Sequence, residues 1–227
     1  MVIRLDKMKY VFDKHNNFIT PIWRKEFPEF VKNTNKICDE FINKEKNKQK
    51  EKLKEREKQF KKKLGDFGHV FHTPNIHYEP GLQKLVKIIG EASLSYLNDS
   101  GVDTNKINLY FTEFWVQEFG KKGGAQHDPH LHWNNHVSGF YFLKANELSS
   151  YPVFHEPRQA AWMSKLPERD AKQNTPTSSL IHYTVKPGTM LIFPSYLVHQ
   201  FAMDIASQPF RFIHWNMQGL LKEIRYG

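Results

Sequence analysis

At 227 residues, 39% of them hydrophobic and 14% aromatic, the chain is long enough to bury one substantial core, as a single larger all-β domain or as a core domain with a helical appendage. Its single cysteine excludes a disulfide framework and favours a reducing intracellular setting. No stretch approaches the ~18 apolar residues of a membrane span, and Met1–Lys7 lacks the apolar centre of a signal peptide, so a soluble cytoplasmic protein is expected. The net charge of +9 invites a nucleic-acid reading, but eleven Lys or Arg against four Glu lie between Lys44 and Lys63, leaving only +2 for the rest of the chain.

In chain order, Phe18–Trp23 is a short apolar piece containing Pro21, suited to an edge strand or an extended entry into the fold. Phe27, Phe30, Val31, Ile37, Cys38, Phe41 and Ile42 then recur at helical intervals, so a helix is predicted from near Pro28. Beyond Ile42 its apolar face thins to Leu53, Phe60 and Leu64. Glu45–Lys48, Glu51–Lys54, Glu55–Lys58 and Glu57–Lys61 are spaced for ion pairs worth about 0.2–0.5 kcal/mol each, so the basic stretch can stay helical until Gly65. A solvated arm is the plain account of that helix. An electrostatic footprint for nucleic acid lacks the interleaved aromatics that stacking would use, and a narrow seam for self-association is a third use. Residues 1–65 are therefore taken as an extended segment plus a long basic helix, and 66–227 as a helix plus a β core.

Residues 66–80 carry two prolines and Gly68 and read as a loop, with His69, His72 and His77 at turn or surface positions. Leu82, Leu85, Val86, Ile89, Ser93, Tyr96 and Leu97 trace the face of a second helix, which Asn98-Asp99-Ser100-Gly101 stops. From Asn108 the period changes. Residues 109–119 are rich in aromatic and β-branched types, and further strands are legible at 138–144, 151–154, 181–185, 189–193, 197–203 and 210–216. Short strands joined by Pro/Gly turns, with helices only in front, predict a mainly β fold of the sandwich or jelly-roll kind.

The chemistry concentrates in two places. Four histidines, His127, His130, His132 and His136, fall within ten residues just before the aromatic strand at 138. His199 follows a second strand that ends in Phe193-Pro194-Ser195. Residues i and i+2 of an extended segment share a face, so His130 and His132 can converge on one ion, with His199 brought back to them by the turn at Pro187-Gly188. Three imidazoles suit a first-row transition metal with open coordination positions. A closed structural zinc site would want more thiolate than Cys38 alone can supply. Asp128, two residues before His130, is an alternative third ligand to His132.

These motifs in this order, His130-Leu131-His132, Ser138-Gly139-Phe140-Tyr141-Phe142-Leu143, Pro187–Ser195 with His199, and Phe210-Arg211-Phe212-Ile213-His214-Trp215-Asn216, resemble the iron(II)- and 2-oxoglutarate-dependent oxygenase superfamily. More narrowly they resemble a group of such oxygenases common in marine bacteriophages and bacteria, for which the location would be the host cytoplasm. The resemblance covers about residues 108–219. It implies a double-stranded β-helix (jelly roll) and a non-haem dioxygenase using Fe(II), 2-oxoglutarate and O2 to hydroxylate a substrate that no motif identifies.

The same resemblance implies that His130, His132 and His199 hold iron and that Arg211 pairs with the far carboxylate of 2-oxoglutarate, a task for which a guanidinium fork is apt. Tyr141 is a second candidate for that carboxylate, because Ile213 stands where the superfamily often has Ser or Thr. Where the superfamily usually has Asp, this chain has His132, which raises the alternative of a three-histidine metal protein without 2-oxoglutarate chemistry. His127, Trp133 and His136 are expected on the substrate side of the metal or behind its ligands. Arg158 follows an aromatic strand at a Pro corner and is read as more structural than functional, and the polar loop 158–180 as a lid.

Overall fold

The computed structural model describes residues 13, 15–163, 165–170 and 172–222. Met1–Lys7, read above for the absence of a leader, lies outside them. Among the described residues ten strands form two antiparallel sheets. They are β1 (Trp23–Glu26), β2 (Val70–His72), β3 (Ile107–Phe119), β4 (His127–His130), β5 (Val137–Lys144), β6 (Pro152–His155), β7 (Leu180–His182), β8 (Thr189–Pro194), β9 (His199–Phe201) and β10 (Arg211–Leu221). The larger sheet runs β1-β8-β5-β10-β3-β2 and the smaller β4-β9-β6-β7, the two-sheet arrangement of a jelly roll.

Most predicted strands are present within a few residues of their expected limits. The apolar piece at Phe18–Trp23 contributes only its last residue to β1, which pairs with β8 at the sheet edge. Two short strands were not legible: β2 inside the stretch read as a loop, and β4 inside the histidine cluster. At three and four residues, neither is long enough to show a period.

Side-chain alternation divides the larger sheet into two working faces. From β3, β5 and β10, Phe119, Phe140, Phe142, Phe210 and Phe212 point between the sheets and pack with Phe154, Phe193 and Phe201. Phe114, Val116, Tyr141, Leu143, Ile213 and Trp215 point the other way, onto two helices, α1 (Val31–Phe60) and α2 (Gln83–Asp99). Two glycines of the sequence motifs serve this geometry. A Cβ on Gly139 would stand 2.1 Å from the Trp215 indole, so only glycine admits that ring. Gly188 has φ +98° at the third position of a turn closed by Thr189 N–H to Lys186 O at 3.0 Å, as a type II turn requires.

Helix α1 buries Thr34, Cys38 and Ile42, one residue per turn, and then runs on with a polar surface until Lys61 adopts the left-handed conformation that ends it. It is more than a solvated arm. Lys46 donates to Glu118 at 2.5 Å, Arg56 donates to Gly65 O, Gly65 N–H donates to a Glu57 carboxylate oxygen, and Leu53 packs on the core. Burial pushes the Cys38 thiol up to about 12, so it stays a protonated, inert core side chain. Among the described residues no helix is long and apolar enough to cross a membrane.

Arg211 is the joint between helix and sheet. Its Nε and Nη2 both reach Oε2 of Glu118 at 2.6 Å, and its Nη1 meets Asp39 at 2.7 Å and the Asn35 side chain at 3.0 Å. Arg211 is 2% and Glu118 1% exposed, so removing the guanidinium strands a buried carboxylate. Such a break costs about 3–5 kcal/mol, here near the lower figure because Lys46 remains. Arg211→Met should therefore lower stability by about 3 kcal/mol in urea unfolding while leaving metal binding unchanged. A loss below ~1 kcal/mol, the range of an ordinary surface change, would contradict this role.

Candidate metal centre

The histidines meet at one end of the barrel, between the sheets. His130 on β4 stands directly opposite His199 on β9 in the antiparallel register, with ring centroids 4.5 Å apart. His132 follows β4 in a loop fixed by its own N–H donating to Ser195 O at 3.1 Å, which brings its ring 5.2 Å from His130 and 5.1 Å from His199. One nitrogen from each of the three lies within 4.8 Å of the others, and Nε2 of His132 and Nε2 of His199 are 3.3 Å apart.

Backbone carbonyls aim two of the rings. Nδ1 of His130 donates to Asp128 O at 2.7 Å and Nδ1 of His199 donates to Leu197 O at 2.9 Å, which leaves each Nε2 lone pair facing the cluster. Burial, then neighbouring His130 and His127, pushes His132 down to about 4. Burial also drives the fully enclosed His199 well below the usual imidazole range. Both are thus neutral at pH 7, with lone pairs available to a cation.

Asp128 does not join this set. A register irregularity between His127 and His130 breaks the two-residue alternation on which its candidacy rested, so its side chain is exposed and only its carbonyl serves His130. His127 lies deeper, its ring against Phe119 and Phe201 and its Nε2 2.5 Å from the Gln117 amide. Trp133 is 80% exposed and walls no enclosed pocket. His136 is exposed and anchors the loop instead, with Nδ1 accepting from Gly219 N–H at 3.0 Å.

The two residues expected to hold a dicarboxylate are on the wrong face. Arg211 and Tyr141 both point toward the helices, Arg211 into the Glu118 network and Tyr141 with its hydroxyl donating to Phe27 O at 2.6 Å. The inward positions here are Phe210, just before β10, and Phe212, His214 and Asn216 within it. Arg211 falls outward because it alternates along the strand with the inward Phe210 and Phe212, contrary to the place that the resemblance implies. Among the described residues Arg211 is the only buried Lys or Arg, so no buried cation faces the cluster.

Several inward residues of the site were not singled out from sequence. His214, 1% exposed, sits with its ring 4.6 Å from His132 and 4.6 Å from Trp115. Glu113, Trp115, Gln117 and Phe119 share the inward face of β3. Asn216 donates to Glu113 and accepts from the Ser138 hydroxyl, whose oxygen lies 2.8 Å from that of Ser195, so a polar chain runs from β3 across β10 and β5 to the end of β8 beside the histidines. Alternation along 113–119 was the signal that could have marked Glu113.

Comparisons with known proteins agree with this geometry. Residues 113–211 match the family described as "Putative 2OG-Fe(II) oxygenase". No curated protein matches the chain. Among solved structures, AviO1 from Streptomyces viridochromogenes Tue57 aligns with a TM-score of 0.54 at 11% identity, over 88% of this chain and 90% of that one. A non-haem monooxygenase, ThoJ, in a nickel complex aligns at 0.52 and 8% identity over 85% and 70%. A 2OG-Fe(II) oxygenase family oxidoreductase from Burkholderia pseudomallei gives 0.46 and 9%, and the chain spans 66% of that protein's length. At these identities the structural likenesses speak for the fold. The sequence match is independent of them and contains all three clustered histidines: over residues 113–211 this chain is similar to the family described as putative 2OG-Fe(II) oxygenases.

Proposed function

We propose that the protein is a non-haem Fe(II)- and 2-oxoglutarate-dependent dioxygenase that hydroxylates a substrate still to be identified. The observation that carries this reading is the convergence of His130, His132 and His199 within 4.8 Å at the mouth of the barrel. Three imidazoles on one side of an ion leave positions free for a chelating oxo-acid and O2, the chemistry that the bound metal supplies. The chain's own part is to fix ligand direction through the Asp128 and Leu197 carbonyls and to exclude water with the phenylalanine core behind His199. The far carboxylate of 2-oxoglutarate would meet polar groups at the mouth rather than Arg211.

A cleft of about 420 Å³ opens beyond Phe154, with none of the three histidines in its lining. Phe154 and Leu197 form part of its lining, with Thr175, Pro176 and Ser178 along one side. Phe154 stands 6.1 Å from His199. We assign the cleft to the substrate and its 175–178 side to the loop read as a lid. Arg158 also lines it, held by paired bonds of 2.7 and 2.8 Å to Glu156.

Three outcomes check this reading. Fe(II) added without oxygen, followed by millimolar 2-oxoglutarate, should give a visible charge-transfer band and a higher melting temperature. Binding of Fe(II) with no response to 2-oxoglutarate would instead favour the three-histidine metal protein. His132→Ala should abolish Fe(II) binding and Asp128→Ala should leave it intact, with the reverse pattern handing the position to Asp128. The third outcome concerns the metal-free protein. His132, held near 4 in the fold, has an ordinary value of 6.5, so the unfolded chain takes up protons first as pH falls. Stability should be full above 6.5 and decline as pH drops toward about 4, more steeply than in His132→Phe. Equal slopes for the two proteins would contradict the lowered value of His132 in the fold.

A further inference from the structure

Beside the three-histidine cluster lies a second group of donors. A carboxylate oxygen of Glu113 on β3, a nitrogen of His132 and a nitrogen of His214 on β10 all lie within 4.8 Å of one another. His214 gives the group its meaning. It is 1% exposed, surrounded by Trp115, Phe140 and His132, and neither of its ring nitrogens has a hydrogen-bond partner. A buried imidazole without partners is rare in a well-packed barrel and asks for a ligand. Glu113 is prepared for one, because the Asn216 amide donates to its Oε2 and Asn216 is itself held by Ser138.

We propose that Glu113, His132 and His214 form a second divalent-metal position, a two-histidine, one-carboxylate set that shares His132 with the three-histidine set. Two imidazoles and a carboxylate suit Fe(II), Mn(II), Co(II) or Zn(II). A neutral imidazole offers one lone pair, so His132 serves one position at a time and the protein takes up one ion, not two. The positions differ in charge. The three-histidine bed leaves the full +2 of the ion uncompensated, whereas Glu113 neutralises one charge beside the buried His214. The proposal depends on the metal reading above only through His132.

Co(II) is the probe, followed by equilibrium dialysis and by its visible d–d absorption, with circular dichroism confirming the fold of each variant. Wild type should bind one Co(II). His130→Ala with His199→Ala should still bind one, and in that background Glu113→Gln or His214→Phe should weaken binding by about 100-fold or more, at least the loss seen when a supporting group around a metal is removed. In the otherwise intact protein Glu113→Gln should retain Co(II) through the three histidines. If the double variant does not fold, His130→Ala alone, at a partly exposed position, carries the same test, since binding should then become dependent on Glu113. Wild type that binds while the histidine-depleted variant does not would overturn the second position and leave the first standing. Binding in the depleted variant that ignores Glu113→Gln would also overturn it, and a wild type that binds no metal would overturn both.

Discussion

Side-chain alternation along β10 is the constraint on which the rest depends. One face of that strand carries Phe210, Phe212, His214 and Asn216 between the sheets, and the other carries Arg211, Ile213 and Trp215 onto the helices. A slip of one residue would drive a guanidinium into the phenylalanine core and turn an indole inward. Both are far costlier than any alternative pairing gains, so the register is fixed. The bulge where β10 leaves register with β5, between Arg211 and Phe212, lies just where the charged joint gives way to the aromatic interior.

This division separates the molecule's electrostatics into two compartments. Outside the barrel, Arg211, Glu118, Asp39, Lys46 and Lys144 form a buried-to-surface network that fastens the front of α1 to three strands. Inside it, at the mouth, stand imidazoles kept neutral by burial, with Glu113 as the carboxylate that shares their donor sets. A cation entering that space meets lone pairs and little competing positive charge. The excess of lysine on the second half of α1 belongs to the outer compartment, where part of it is used in ion pairs with Glu45, Glu51 and Glu118.

Much of this was legible in the chain itself. The aromatic strands, the change of period near Asn108 and the His-x-His spacing before a Ser-Gly strand all reflect local geometry that a sequence records. The convergence of His199 with His130 was also readable, because a Pro-Gly turn and one apolar strand fixed where the chain returned. What failed were inferences that needed parity across an irregularity. Asp128 was counted onto the face of His130 although Pro129 and a bulge intervene, and the inward place that the resemblance implied for Arg211 fails because Arg211 alternates with the inward Phe210 and Phe212. Glu113 was markable only through the alternation along 113–119, where Trp115, Gln117 and Phe119 share its face, because a lone carboxylate in an aromatic strand is no motif by itself. Bulges are decided by neighbouring strands, which is why sequence spacing did not show them.

The central proposal is that imidazoles at the mouth of the barrel, aimed by backbone carbonyls, hold a metal ion. X-ray absorption of the Fe(II)-loaded protein tests it most directly, because ring carbons of bound imidazole give an outer-shell multiple-scattering pattern that carboxylates and water do not. The account predicts that pattern in wild type, at an intensity fitting two or three imidazoles, and its marked loss in His132→Ala. A first shell of oxygen alone, without imidazole scattering, would contradict it.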